Sequence, residues 1–98
     1  MARVLVTPRA VADLQGLIDG LGLPANARTR VQRSLRILER FPLAGRALTG
    51  RWEGTRFVIG PWPWMILVYV HDSDDDAVYV VAIHDGRNAS SATASNAR

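Results

Sequence analysis

The sequence predicts an α+β domain: an N-terminal strand, an αα-hairpin, and then three antiparallel strands forming a small sheet packed against the two helices. Three observations lead there. Apolar residues recur at helical spacing in the first half of the chain, the pattern turns to extended runs rich in valine and isoleucine after Gly54, and proline, glycine or aspartate clusters mark each change. With 98 residues there is material for one domain and one core.

Each element has a local cause. Arg3 to Thr7 is short and β-branched and ends at Thr7-Pro8, where Thr7 can cap a helix and Pro8 can open it, having no N–H to lose. Val11, Leu14, Leu17, Ile18 and Leu21 then share one helical face, and Gly20 and Gly22 supply the stop. Pro24 opens a second helix that runs to Phe41-Pro42. Its Val31, Leu35 and Leu38 form one stripe, with Arg33, Arg36 and Arg40 on the opposite side. A loop from Leu43 to Gly54 follows.

Strands are expected at Thr55 to Ile59, Trp64 to His71 and Ala77 to His84. Met65 to Val70 shows no alternation, which marks a central strand buried on both faces. Pro61 and Pro63 form the turn before it, and Asp72 to Asp76 the hairpin loop after it. Residues 1–88 are expected to be a single domain, and 89–98, poor in large apolar groups, a disordered polar tail.

Composition narrows the chemistry. The absence of cysteine removes disulfides, thiolate nucleophiles and thiolate zinc sites. Asp72, Asp74 and Asp76 alternate as in a calcium loop, but the twelfth position is Ile83. His71-Asp72 and His84-Asp85 lack the further histidines of a metal phosphohydrolase. No metal and no other cofactor is therefore expected. No apolar run approaches the roughly 20 residues of a membrane span, and the N-terminus does not read as a secretory signal, so a cytoplasmic chain with no membrane partner is expected.

All 12 basic residues are arginine, against 9 acids, for a net charge of +3. The guanidinium fork suits phosphate and carboxylate, which leans toward nucleic acid or an acidic protein; codon bias in a GC-rich genome accounts for the missing lysine equally well. The stripe of Arg33, Arg36 and Arg40 is either a solvated face or a partner contact. Trp62 and Trp64, with Trp52, are either core and partner-contact residues or a base-stacking platform.

The pattern Thr-Pro-x-Ala-x-x-Asp-Leu at Thr7 to Leu14 resembles the first helix of the RelE/ParE toxins, and Leu38-Glu39-Arg40-Phe41-Pro42 followed by Gly45-Arg46 resembles the end of their second. Gly54-x-Arg56, the run from Pro61 to Tyr69, the acidic loop and the ending Ile83-His84-Asp85-Gly86-Arg87 are similar to the family's closing strands. The resemblance spans about residues 3 to 88 and implies the toxin of a type II toxin–antitoxin pair, bound by a cognate acidic antitoxin through contacts that include Arg33, Arg36, Arg40, Trp62 and Trp64.

What the resemblance implies about activity divides. RelE-like members cut messenger RNA on the ribosome, and ParE-like members poison DNA gyrase. Against the ribonuclease pattern, Arg56 matches one basic position on the second strand and Arg87 the arginine after the fourth, while Val58 and Ile66 stand where further basic residues are expected. No tyrosine, lysine or glutamate follows Tyr79. His84 is a candidate acid or base, or a strand-end residue bonded to Asp85. Arg56, His84 and Arg87 are thus the candidates for catalysis or target contact. The entry into the third strand and the His-x-Gly-Arg ending look closer to ParE, so gyrase is the expected target, with a ribosome-dependent endoribonuclease and a degenerate antitoxin-binding protein as alternatives.

Overall fold

Thr7 does what its place before Pro8 predicts. In the computed structural model, which describes residues 1–87, its hydroxyl accepts from the Ala10 N–H at 3.3 Å and donates to the Val80 carbonyl at 2.8 Å. One side chain therefore starts a helix and ties it to the last strand. The expected tail at 89–98 lies outside the described residues.

The elements run β1 (Arg3–Val6), α1 (Pro8–Leu21), α2 (Ala27–Ser34), α3 (Ile37–Arg40), β2 (Arg46–Ala47), a 3-10 turn (Gly50–Trp52), β3 (Arg56–Ile59), β4 (Met65–Asp72) and β5 (Ala77–Asp85). Helix α1 ends where Gly22 adopts φ 64° and its N–H returns to the Ile18 carbonyl, a left-handed cap that suits glycine.

The second helix is broken where the sequence predicts one rod. The Ser34 hydroxyl bonds back to the Arg30 carbonyl, and the amides of Arg36, Leu38 and Glu39 reach carbonyls three residues back. Such bonds tighten and bend the helix between α2 and α3. The apolar stripe survives the break, because Val31, Leu35 and Leu38 are all buried.

Among the described residues, five strands form one mixed sheet in the order β1-β5-β4-β3-β2. The three expected strands pair antiparallel; β1 adds parallel to β5, and the two-residue β2 adds to the far edge. As its unbroken apolar run predicts, β4 lies at the centre, with Met65 to Tyr69 buried. Two cores result. Helices and sheet enclose the larger, which includes Leu14, Leu38, Leu67, Tyr69, Val80 and Ile83, while Leu48 and Trp52 cover Ile66, Val68 and Ala82 on the other face.

A bulge decides which face the end of β5 presents. Val68 pairs with Ala82 but Tyr69 pairs with Val80, so Val81 is an extra residue and the alternation shifts by one. Val78 and Val80 face the helices before it, and Ile83 does so after it. No helix among the described residues is long and apolar enough to cross a membrane.

Candidate functional site

Among the described residues no further strand pairs with the β1 edge of the sheet, which lies in a groove. Amides of Arg3 and Thr7 point to β5, donating to the carbonyls of Asp76 and Val80, so strand alternation turns Ala2, Val4 and Val6 outward. Ala2 gives its N–H to the Glu39 carbonyl at 2.8 Å, which fastens the end of α3 against the start of β1. Beyond that bond, the outward peptide groups of Val4 and Val6 face a depression of about 420 Å³ walled by Gln32, Leu35, Arg36 and Glu39. A smaller slot of about 80 Å³ continues it past Val6 and Gln32 to Val11, Val31 and Arg28. An edge strand with open backbone groups is a template for a further strand.

Arg56 sits on the opposite flank, on β3 and on the helix-covered face with its cross-strand partner Tyr69. Its guanidinium donates to the carbonyls of Gly45 at 2.9 Å and Leu43 at 3.4 Å. The Tyr69 hydroxyl accepts from the Gly45 N–H at 2.9 Å in a buried bond. Burial pushes the phenol's pKa above its ordinary value of 10.0, although that bond and Arg56 pull it back. A Cβ at Gly45 would lie 2.6 Å from both the Tyr69 hydroxyl and the Phe57 carbonyl, so the approach requires glycine. Arg56 and Tyr69 together bind the chain after α3 to the sheet.

His84 is turned by the bulge to the other face, beside Ala82, and meets the Trp52 ring edge-on at a centroid distance of 5.3 Å. Arg51 lies over that indole, 5.8 Å from the centroid. Burial holds the imidazole below its ordinary pKa of 6.5; Asp13 acts to raise it, and Arg9 and Arg51 lower it further. Asp13 has a second task. On the β1 side no strand among the described residues covers β5 beyond Val80, and the Asp13 carboxylate accepts the Ile83 N–H at 3.1 Å in place of a strand partner.

Arg87 belongs to a third cluster. The Asp85 carboxylate takes its backbone N–H at 2.9 Å, its Nε at 2.9 Å and its Nη2 at 2.8 Å, which lowers the Asp85 pKa. The same guanidinium lies 4.8 Å from the centre of Trp64, Trp64 stacks on Trp62 at 6.1 Å, and Arg30 lies 4.4 Å from the centre of Trp62. Guanidinium, indole, indole, guanidinium: the sequence of contacts joins α2, the turn before β4 and the end of β5. Trp62 and Trp64 also pack against the larger core. Arg33, Arg36 and Arg40 are exposed along α2 and α3. No group of three or more metal-ligating side chains exists among the described residues.

The family model for the ParE toxin of type II toxin–antitoxin systems, parDE, matches residues 4–89. The chain belongs to the ParE toxin family. Solved structures with the same fold include the RelBE2 toxin–antitoxin complex of Mycobacterium tuberculosis, with TM-score 0.66 and 23% identity over 86% of this chain and 96% of the other. Two conserved hypothetical proteins of Helicobacter pylori are also similar: HP0892, with TM-score 0.59 and 17% identity over 89% and 97%, and HP0894, with 0.56 and 16% over 90% and 98%. No curated protein matched the chain.

In this ParE-family toxin, Arg56, His84 and Arg87 are therefore not gathered. Arg56 and His84 face opposite sides of the sheet, and Arg87 is held in the stack with the two tryptophans. Sequence reasoning missed Arg30, Tyr69, Gly45 and Asp13. Gly45 and Tyr69 showed only as parts of the family-like motifs, whereas Asp13 left a physical signal: it stands beside the apolar stripe of α1, three residues after Ala10 and four before Leu17.

Proposed function

We propose that this toxin arrests growth by acting on DNA gyrase, and that an acidic antitoxin neutralises it from the groove beside β1. The observation that carries the target is the dispersal of the basic residues. Cleavage of a phosphodiester needs a base, an acid and a charge stabiliser around one phosphate. Arg56 is engaged by two carbonyls on the helix face, His84 is on the other face, and Arg87 is paired with Asp85. That arrangement speaks against a ribonuclease site and supports the ParE-like reading.

The groove supports the partner. Val4 and Val6 offer backbone groups, Leu35 and Val31 give apolar walls, and Arg28 and Arg36 stand at the rim. An acidic segment that pairs with β1 fits this chemistry.

Two measurements test the reading. Expression of the toxin alone should arrest growth, induce the DNA-damage response and leave messages uncut by primer extension; ribosome-dependent cuts with no damage response would overturn the gyrase assignment. Co-expression with the product of the adjacent small gene should restore growth, and in the purified complex the Val4 and Val6 amides should gain protection from hydrogen exchange. Unchanged exchange in a complex that does form would move the antitoxin elsewhere.

A further inference from the structure

A second exposed surface lies on the other side of α3. Ile37, Phe41 and Leu43 are 51%, 57% and 59% exposed, three large apolar side chains within seven residues. A shallow depression of about 500 Å³, lined by Arg40, Phe41, Pro42, Leu43, Ala44 and His71, adjoins them. Surface apolar residues are ordinary when scattered; a cluster with a concave neighbour marks an interaction surface.

Charge says what fits. From Ala27 to Trp52 the chain carries seven arginines and a single acid, Glu39, which lines the groove rather than this face, while at the margin of the depression Asp76 is bound to His71 at 3.2 Å. The Phe41 amide donates to the Ile37 carbonyl at 2.8 Å, which sets these two apolar side chains one turn apart on α3 with the exposed Arg40 beside Phe41. Phe and Arg around a depleted-carboxylate centre is the anatomy of a protein-binding surface.

Other occupants fit less well. A nucleic-acid backbone would meet the arginines and leave Phe41 and Leu43 uncovered. A second copy of this chain would set arginine against arginine.

We propose that the Ile37–Phe41–Leu43 face is where the toxin engages its target, and that the target presents an apolar projection rimmed by carboxylates on a protein. The inference rests on the toxin reading above and deepens it by naming the surface and the class of target. It also supplies a route to neutralisation. Leu35, Arg36 and Glu39 flank the groove while Ile37, Arg40 and Phe41 flank the target face, and one short helix separates them. With a helix only about 10–12 Å across, an antitoxin seated on Arg36 obstructs a macromolecule approaching Phe41.

The test uses the full chain bearing Phe41→Asp and Leu43→Asp together, with Arg40→Glu as an independent charge variant. Both side chains are exposed, so melting temperatures should stay close to the wild type. The expected result is loss of growth arrest in both variants, with antitoxin affinity unchanged in the Phe41→Asp/Leu43→Asp variant. Wild-type toxicity in either folded variant overturns the proposal. Loss of antitoxin affinity with toxicity intact overturns it as well, and assigns the face to the antitoxin. Wild-type binding to phosphatidylglycerol vesicles that both variants lose overturns it in favour of a membrane surface. A wild-type chain that arrests no growth removes the toxin reading itself, a failure distinct from the others.

Discussion

On the helix-covered face of the sheet, Met65, Leu67, Tyr69, Val78, Val80 and Ile83 are packed by α1, α2 and α3, whereas on the opposite face, among the described residues, Ile66, Val68 and Ala82 lie under little more than Leu48 and Trp52. Most of the apolar burial is thus on one side. The thin side is where His84 can sit half-buried between an indole and arginines without disturbing the main core. The difference teaches that a small domain can confine its stabilising contacts to one face and keep polar groups within reach of solvent on the other.

Truncation on each side tests that division most strongly. Leu67 is fully buried on the helix face, and Leu67→Ala should cost about 3 kcal/mol from lost transfer energy and the cavity left behind. Val68 is equally buried on the other face, yet Val68→Ala should cost only about 1.5 kcal/mol, since it removes less and the thin cover can settle into the space. Urea unfolding of the two variants gives the comparison. Equal losses would show that the smaller core is as tightly packed as the larger.

Next in size is the bond on the helix-covered face that ties the chain after α3 to the sheet. Tyr69→Phe leaves the Gly45 N–H buried without its acceptor, which should cost about 1–3 kcal/mol. Gly45→Ala should cost a comparable amount, about 1–3 kcal/mol, by forcing a methyl onto the Tyr69 hydroxyl and the Phe57 carbonyl. The two should not add, because each releases the same stretch of chain. Additive losses in the double variant would mean that the hydroxyl and the glycine act separately.

How much of this was legible in the sequence depends on the range of the interaction. Thr7-Pro8, Gly22 and the aspartate turn are set by neighbours a few residues away, and each formed where its residues predicted. Central β4 was readable because burial on both faces removes alternation. Parallel pairing of β1 with β5 joins residues more than 70 positions apart, and nothing local in Arg3 to Val6 encodes it. The two-residue β2 is too short for any period. The bulge at Val81 had the largest consequence for the candidate site: simple alternation from Val78 and Val80 puts His84 among the helices, and the one-residue shift places it against Trp52 instead.

The smallest expected effect is a titration on the thin face. Burial disfavours the imidazolium of His84, so its folded pKa is below the ordinary 6.5. Between those two values the unfolded chain binds a proton that the folded chain does not, and stability rises with pH there. The contribution is complete above about pH 6.5 and is lost as pH falls through the folded value. The His84 ring proton resonance should accordingly titrate with a midpoint under 6.5, and His84→Asn should flatten that part of the stability profile. Burial by Trp52 gives this comparison its final edge: Trp52→Ala, which uncovers the ring, should move the midpoint up, and a midpoint that stays in place would show that Arg9 and Arg51, rather than desolvation on the thin face, set the charge of His84.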